Sequence, residues 1–269
     1  MPGTAARRLR HGREACGRHP APGAPRQLAG RSARVPEPGV GLPLMPAAES
    51  GPAKVHAGRL LVVATPLGNL GDVSQRAREA LGQADLVACE DTRTTGNLLK
   101  LLGIEGPRLI AYHEHNEKEA ARQIAEKVRQ GLTVALVSDA GTPGVSDPGF
   151  RVVRECRRLG LEASPIPGPC AAVALLSVSG LPTNAFRFVG FLQPKSAARR
   201  RFLAEEAAEA EETLVLHESC HRIEALLTEM LELLGPDRVA CVGREITKAH
   251  ETVRTGALGR LVPEILAGS

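Results

Sequence analysis

From residue 60 onward, short aliphatic and β-branched runs at 60–64, 86–89, 109–112 and 133–137 alternate with helical patterns at about 73–82, 94–102 and 117–130. A further helical pattern at 150–158 leads to a short strand-like run at 162–166. Strict β-α repetition of this kind leaves few options, because parallel strands need crossover helices and both faces of the sheet are then covered. The sequence therefore predicts an α/β fold built on a mainly parallel sheet. In such sheets ligands bind at the carboxyl ends of the strands, so the loops there are where chemistry is expected.

The most informative of these loops is Ser138-Asp-Ala-Gly-Thr-Pro-Gly-Val-Ser-Asp-Pro-Gly149, directly after the 133–137 run. Gly141, Gly144 and Gly149 allow close backbone approach to a ligand, and Pro143 and Pro148 restrict the loop to few conformations. A rigid structural turn has the same composition, and it is the surrounding pattern that favours a ligand loop. The first strand ends in a similar segment, Ala64-Thr-Pro-Leu-Gly-Asn-Leu-Gly-Asp72. Neither loop reads G-x-G-x-x-G, and no Walker lysine follows either, which argues against an ordinary dinucleotide-binding domain and a P-loop NTPase. The second strand ends in Glu90-Asp-Thr-Arg93, which reads equally as a structural ion pair or as a site at a strand end.

After Pro167-Gly-Pro-Cys-Ala-Ala172 a second set begins, with strands expected at 187–191, 213–216 and 238–242 and helices at 196–210, 221–234 and 258–266. The boundary is set near residue 172, giving an amino-terminal α/β domain over 58–171 and a carboxyl-terminal one over 172–269. No closing strand is visible after the last helix. Residues 1–57 are rich in Arg, Pro, Gly and Ala without hydrophobic periodicity, and read as a disordered extension. Met45 is an alternative start.

The net charge of +4 misleads about partners. Residues 1–56 hold nine of the 34 Lys/Arg and three of the 30 Asp/Glu, so the remainder carries 25 basic and 27 acidic residues. Nucleic-acid binding must then come from local patches. With one Tyr, five Phe and no Trp, base stacking is a poor candidate for the main recognition device. One patch is Lys195-Ser-Ala-Ala-Arg-Arg-Arg201, where three arginines precede Glu205, Glu206 and Glu209 against the helix dipole. Phosphate binding by Lys195, Arg199, Arg200 and Arg201 is the preferred reading over a solvated face, and Arg222 is a further RNA-binding candidate.

His217-Glu-Ser-Cys-His221 matches the zinc-protease pattern H-E-x-x-H, but the histidines straddle a strand end and a helix start at which Ser219 is the expected cap. No metal site is expected. Six dispersed cysteines without a C-x-x-C pair fit a reducing cytoplasm, and no apolar run approaches the length of a membrane span.

The ordered segments TPLGNLGD, EDTR, YHEHN, SDAGTPGVSDPG, PGPCAA, FVGFLQPK, HESCHR and GREITKAHE resemble the ribosomal RNA small-subunit methyltransferase I family, within the tetrapyrrole methylase superfamily. The likeness runs from about Gly58 to Leu266. It implies a two-domain class III methyltransferase fold, a homodimer, and S-adenosyl-L-methionine-dependent 2′-O-methylation of a cytidine in 16S rRNA of the small ribosomal subunit. Donor-binding segments of the family fall here on Pro66, Gly68, Asn69, Asp139, Ala140, Gly141, Val145, Ser146, Asp147, Pro169, Cys170 and Ala171.

Two departures stand out. An aromatic residue is usual in the family where His217 stands, and a strand with a further small domain usually follows the last helix, so the second domain is expected to be incomplete. For the base that takes the ribose proton, Glu90 and Asp91 are the candidates, and Arg93 and Lys248 are candidates to orient the acceptor or hold its phosphate. A tetrapyrrole-type small-molecule methyltransferase, a zinc hydrolase and a truncated, non-catalytic RNA-associated protein remain as rival readings.

Overall fold

A computed structural model describes residues 58–268. The extension read at 1–57, with Met45 and Cys16, lies outside the described residues. Strands β1 (Arg59–Val63), β2 (Leu86–Cys89), β3 (Arg108–Ala111), β4 (Thr133–Leu136) and β5 (Glu162–Ile166) form one sheet in the order β3-β2-β4-β1-β5, and every pairing is parallel. Helices α1 (Gln75–Gly82), α2 (Thr92–Leu101), α3 (Glu117–Arg129) and α4 (Phe150–Arg158) make the crossovers. These elements lie within a residue or two of the sequence expectation.

Alternate residues of the strands feed two cores. Leu60, Leu86, Ala88, Val134 and Leu136 face α3 and α4, whereas Leu61, Val63, Val87, Cys89, Ala135 and Val137 face α1 and α2. That is why β1, β2 and β4 read as nearly continuous apolar runs. Each buried aliphatic side chain contributes about 1.5–3 kcal/mol relative to exposure. Local chemistry fixes the helix starts: Ser74 Oγ accepts the Ala77 N–H at 3.1 Å, and Asp91 Oδ1 accepts the Arg93 N–H at 2.8 Å.

Two elements escape the sequence patterns. Helix α5 (Ala171–Val178) is made of Ala, Val and Leu with one Ser, so it has no polar face to give a helical period. Strands β6 (Phe186–Phe191) and β7 (Thr213–His217) pair in parallel. Strand β8 (Val239–Arg244) is expected, but its antiparallel partner β9 (Thr252–Ala257) is not, because residues 252–255 are all exposed and show no alternation. Helices α6 (Ser196–Phe202), α7 (Ile223–Leu234) and α8 (Leu258–Leu266) complete the set.

The helix expected over 196–210 passes into a π-helical turn at Leu203–Ala207. Helix α7 starts later than expected: its cap position is Arg222 rather than Ser219, whose carbonyl accepts the Arg222 and Ile223 N–H groups. An apolar cleft of about 400 Å³ lies between β7, β8 and α7, and contains none of the residues expected to bind the donor. Among the described residues, no helix is long and apolar enough to cross a membrane.

Candidate active site

The sheet order brings the carboxyl ends of β1, β2, β4 and β5 side by side, and their loops are tied by backbone bonds. Thr65 N–H donates to Gly141 O at 2.8 Å, and Gly141 N–H returns a bond to Thr65 O at 3.1 Å. Thr65 Oγ1 donates to Ser138 O at 3.1 Å, and Thr142 Oγ1 donates to Pro169 O at 2.9 Å. The segments around Pro66, Asp139–Gly141 and Pro169 thus form one junction. Gly141 has φ +85°, and a Cβ there would come within 3.2 Å of Leu67 Cδ2. Glycine is favoured there by the positive φ, and the Leu67 side chain would have to shift to admit a Cβ.

The second half closes on this junction at two points. Gly190, at a register shift in β6, has φ +74°, and a Cβ there would lie 3.0 Å from Ser146 Oγ. A Cβ on Gly68 would come within 2.3 Å of Lys248 Cγ, so the Lys248 stem lies over the first loop. Among the described residues the non-glycine residues with positive φ are Ser146, Glu245 and Thr247. Ser146 belongs to the 138–149 loop, and the other two flank the Lys248 turn. Strain of this kind, about 1–3 kcal/mol per residue, persists only where the surroundings over-determine it, and it gathers at functional sites.

The cleft is acidic. Asp139 Oδ1 accepts the Asp91 N–H at 3.2 Å, which joins the β2 and β4 ends. Burial raises the Glu90 carboxyl above its ordinary value, and the neighbouring Asp139, Asp147 and Glu114 charges add to the rise while His113 opposes it. Asp147 is raised by burial and by Asp139, against a hydrogen bond from Ser138. Asp91 behaves differently: Arg93 binds it through its side chain at 2.7 Å and its backbone, which holds the carboxyl at about 2. The Arg93 side chain is 90% exposed, so the guanidinium stands at the rim.

The expected RNA-binding set divides. Lys195 and Arg201 are exposed. Arg199 is a correction: it is 5% exposed and locked to Glu229 of α7 by bonds of 2.6 and 2.7 Å, with Ser196 Oγ donating to the same carboxylate at 2.7 Å. Arg200 pairs with Glu232 at 2.6 Å. Arg199 and Arg200 are held by ion pairs to α7 and fall in the last turn of α6, so Arg199 is unavailable to a phosphate, whereas Arg201 makes no such pair among the described residues. Arg222 is paired with Glu218 at 2.6 Å.

His217 lies at the end of β7, edge-on to Phe188 and Phe191 with ring centroids 5.1 and 5.6 Å away, and burial lowers its pKa. It packs as an aromatic residue would. His221 belongs to the following turn, and the described residues contain no cluster of three or more metal-ligating side chains.

Sequence reasoning missed the network behind the loop. Tyr112 Oη donates to Glu117 Oε1 at 3.0 Å, and the same oxygen accepts the Gly149 N–H at 3.3 Å. The YHEHN segment marked the region, but the Gly149 and Val152 N–H groups that Glu117 and Tyr112 accept lie over 30 residues away.

The sequence matches the profile of the tetrapyrrole (corrin/porphyrin) methylases over residues 59–262. It is 48% identical over 204 residues to the ribosomal RNA small subunit methyltransferase I of Haemophilus influenzae, covering 76% of this chain and 71% of the relative. The protein of the same name from Xylella fastidiosa is 49% identical over 208 residues, covering 77% and 76%. Among solved structures, diphthine synthase aligns with a TM-score of 0.58 at 20% identity, over 76% of this chain and 84% of that one. Uroporphyrin-III-C-methyltransferase from Thermus thermophilus aligns at 0.53 and 22%, over 76% and 87%. These two likenesses concern the fold, which is the class III methyltransferase fold.

S-adenosylmethionine is the methyl donor of this family. The residues present suit it: the glycine-rich loops pack closely at the strand ends, where a Cβ on Gly168 would come within 3.0 Å of Ala64 Cβ, and they present main-chain groups to a ligand. The acids Glu90, Asp139 and Asp147 offer a negative wall to a sulfonium cation. The chain belongs to the tetrapyrrole methylases and, within them, to the ribosomal RNA small-subunit methyltransferase I family.

Proposed function

We propose that this chain is an S-adenosylmethionine-dependent rRNA methyltransferase that modifies the 2′-hydroxyl of a cytidine in 16S rRNA of the small ribosomal subunit. The observation that carries the reading is the 48–49% identity, across about three quarters of the chain, to proteins named for small-subunit rRNA methylation. The geometry accounts for how such a reaction would run.

When bound, the donor supplies an activated methyl group on a positively charged sulfur. The loops at Pro66–Asn69, Asp139–Asp147 and Pro169–Ala171 hold it through backbone groups, in a cleft between two α/β domains that meet near residue 172. A ribose hydroxyl is a weak nucleophile, so alignment of its oxygen with the methyl supplies much of the rate, and a base is needed as the proton leaves. Of the two candidates, Glu90 suits that role. Its raised pKa makes it the stronger base, whereas Asp91 is committed to Arg93 and to capping α2. Arg93 and Lys248, both exposed at the rim, take the acceptor's phosphates. A homodimer in the cytoplasm completes the reading.

The test is incubation of the protein with labelled donor and 30S particles lacking the modification, alongside a porphyrinoid substrate, followed by mapping of the labelled nucleoside. One labelled 2′-O-methylcytidine in 16S rRNA is the expected product. Label on a nucleobase, or on the porphyrinoid alone, would overturn the assignment.

A further inference from the structure

We propose that Tyr112 and Glu117 form a positioning pair that pins the far end of the 138–149 loop, so that donor affinity depends on two side chains behind the cleft. The proposal rests on the reading of that loop as the donor site.

Helix α4 begins without a capping side chain of its own, because its cap residue is Gly149. The first N–H groups of a helix need outside acceptors. Here another segment supplies them. Glu117 Oε1 accepts the Gly149 N–H at 3.3 Å, Glu117 Oε2 accepts from Arg151 Nε at 2.9 Å, and Tyr112 Oη accepts the Val152 N–H at 3.3 Å. Tyr112 Oη also donates to Glu117 Oε1 at 3.0 Å, which closes the network. A carboxylate at a helix amino terminus is also favoured by the dipole. Burial pushes the Glu117 carboxyl up, and the bonds from Tyr112, Gly149 and Arg151 outweigh that and leave it below its ordinary value.

Why should this matter to the donor? A Cβ on Gly149 would lie 2.9 Å from Gly144 N, so the Gly149 backbone rests directly against the turn of the loop. The other end of the loop is held by the Thr65–Gly141 bonds and by Thr142 on Pro169. Between the two anchors stand Val145, Ser146 and Asp147, with Ser146 in the left-handed region at φ +63°. Such a conformation is retained only while both ends are fixed. Tyr112 is 1% exposed and the sole tyrosine, and a phenylalanine would fill its core position without tying the loop.

The experiment is calorimetric titration of S-adenosylmethionine and S-adenosylhomocysteine into the wild type, Tyr112→Phe, Glu117→Gln and Glu117→Ala, with thermal melts and amide exchange across 142–149. Tyr112→Phe and Glu117→Gln should raise the donor Kd about three- to tenfold, the scale of one hydrogen bond. Glu117→Ala should raise it more than about tenfold. Exchange should accelerate at 145–149, while kcat at saturating donor and the KM for RNA stay within about twofold.

Unchanged donor Kd in a folded Glu117→Ala protein overturns the proposal. If that variant does not fold, the single-oxygen deletion Tyr112→Phe decides by the same measure. A wild type that binds no donor would sink the donor-loop reading and this proposal together, whereas wild-type binding with unaltered variants sinks the pair alone.

Discussion

Replacing Arg199 with alanine separates a structural cation from an RNA-binding one. In the fold, the Arg199 guanidinium and the Glu229 carboxylate have 6% and 10% side-chain exposure and meet through two bonds, Nε to Oε2 at 2.6 Å and Nη2 to Oε1 at 2.7 Å. The pairing raises Arg199 and lowers Glu229, so the two ends agree in direction. Alanine leaves Glu229 buried and uncompensated, with only Ser196 donating to it. Breaking a buried pair from one side costs about 3–5 kcal/mol. For a folded region of this size that is about 2–4 °C per kcal/mol, hence a fall in Tm of about 6–20 °C.

The joint replacement Arg199→Met with Glu229→Leu removes both charges and should recover most of that loss, since apolar substitutes for buried pairs are often neutral. Thermal and urea melts measure the stabilities, and filter binding over a salt series measures RNA affinity. The double variant should keep the wild-type salt slope. An Arg199→Ala protein with unaltered Tm and weakened RNA binding would refute the assignment to the α6–α7 contact. The pH dependence follows with a definite sign. Because Glu229 is lowered from its ordinary value of 4.5, its contribution is present above that value and is lost as pH falls through the lower folded value. The wild type should therefore lose Tm more steeply below about pH 4.5 than the double variant does.

Gly141→Val should abolish donor binding by calorimetry, since it places a branched side chain at φ +85° within 3.2 Å of Leu67, and should cost stability by at least about 1–2 kcal/mol. Glu90→Gln should lower kcat by about 10²–10⁴ while raising Tm slightly, because it removes a carboxylate crowded by Asp139 and Asp147. In the wild type the acidic limb of the rate profile should lie above the ordinary carboxylate value of 4.5, and an unaltered kcat in Glu90→Gln would exclude Glu90 as the base. Arg201→Ala should weaken RNA binding and reduce the salt slope by about one with donor affinity unaffected, and Lys248→Ala should weaken RNA binding and the slope likewise while also raising the donor Kd, because its stem covers Gly68. A slope equal to the wild type's would remove that residue from the phosphate path.

What the sequence discloses of this fold follows the range of the interactions involved. The inner strands β1, β2 and β4 are legible because they are largely buried on both faces, and that demand is written into consecutive apolar residues such as Leu86–Cys89. The junction of the loops after β1, β4 and β5 is legible as well, since Gly141 is needed at a positive φ and glycine announces such positions. Strand β9 is hidden because an exposed edge has no apolar alternation to display. The arginine cluster shows why local rules mislead. Three arginines set early in the expected 196–210 helix suggest a holder outside the helix, and for Arg199 and Arg200 that holder is α7 rather than a phosphate. The partner could not be read, because Glu229 lies 30 residues away on another helix and nothing in its local sequence sets it apart from Glu232 or Glu224. The same holds for Tyr112, whose tie to Val152, 40 residues further on, exists only once α3 and α4 pack together. Backbone requirements leave a mark at the residue that meets them, whereas side-chain pairing across the core leaves none, so the glycine-rich loops are visible in one dimension and the braces behind them are visible only in three.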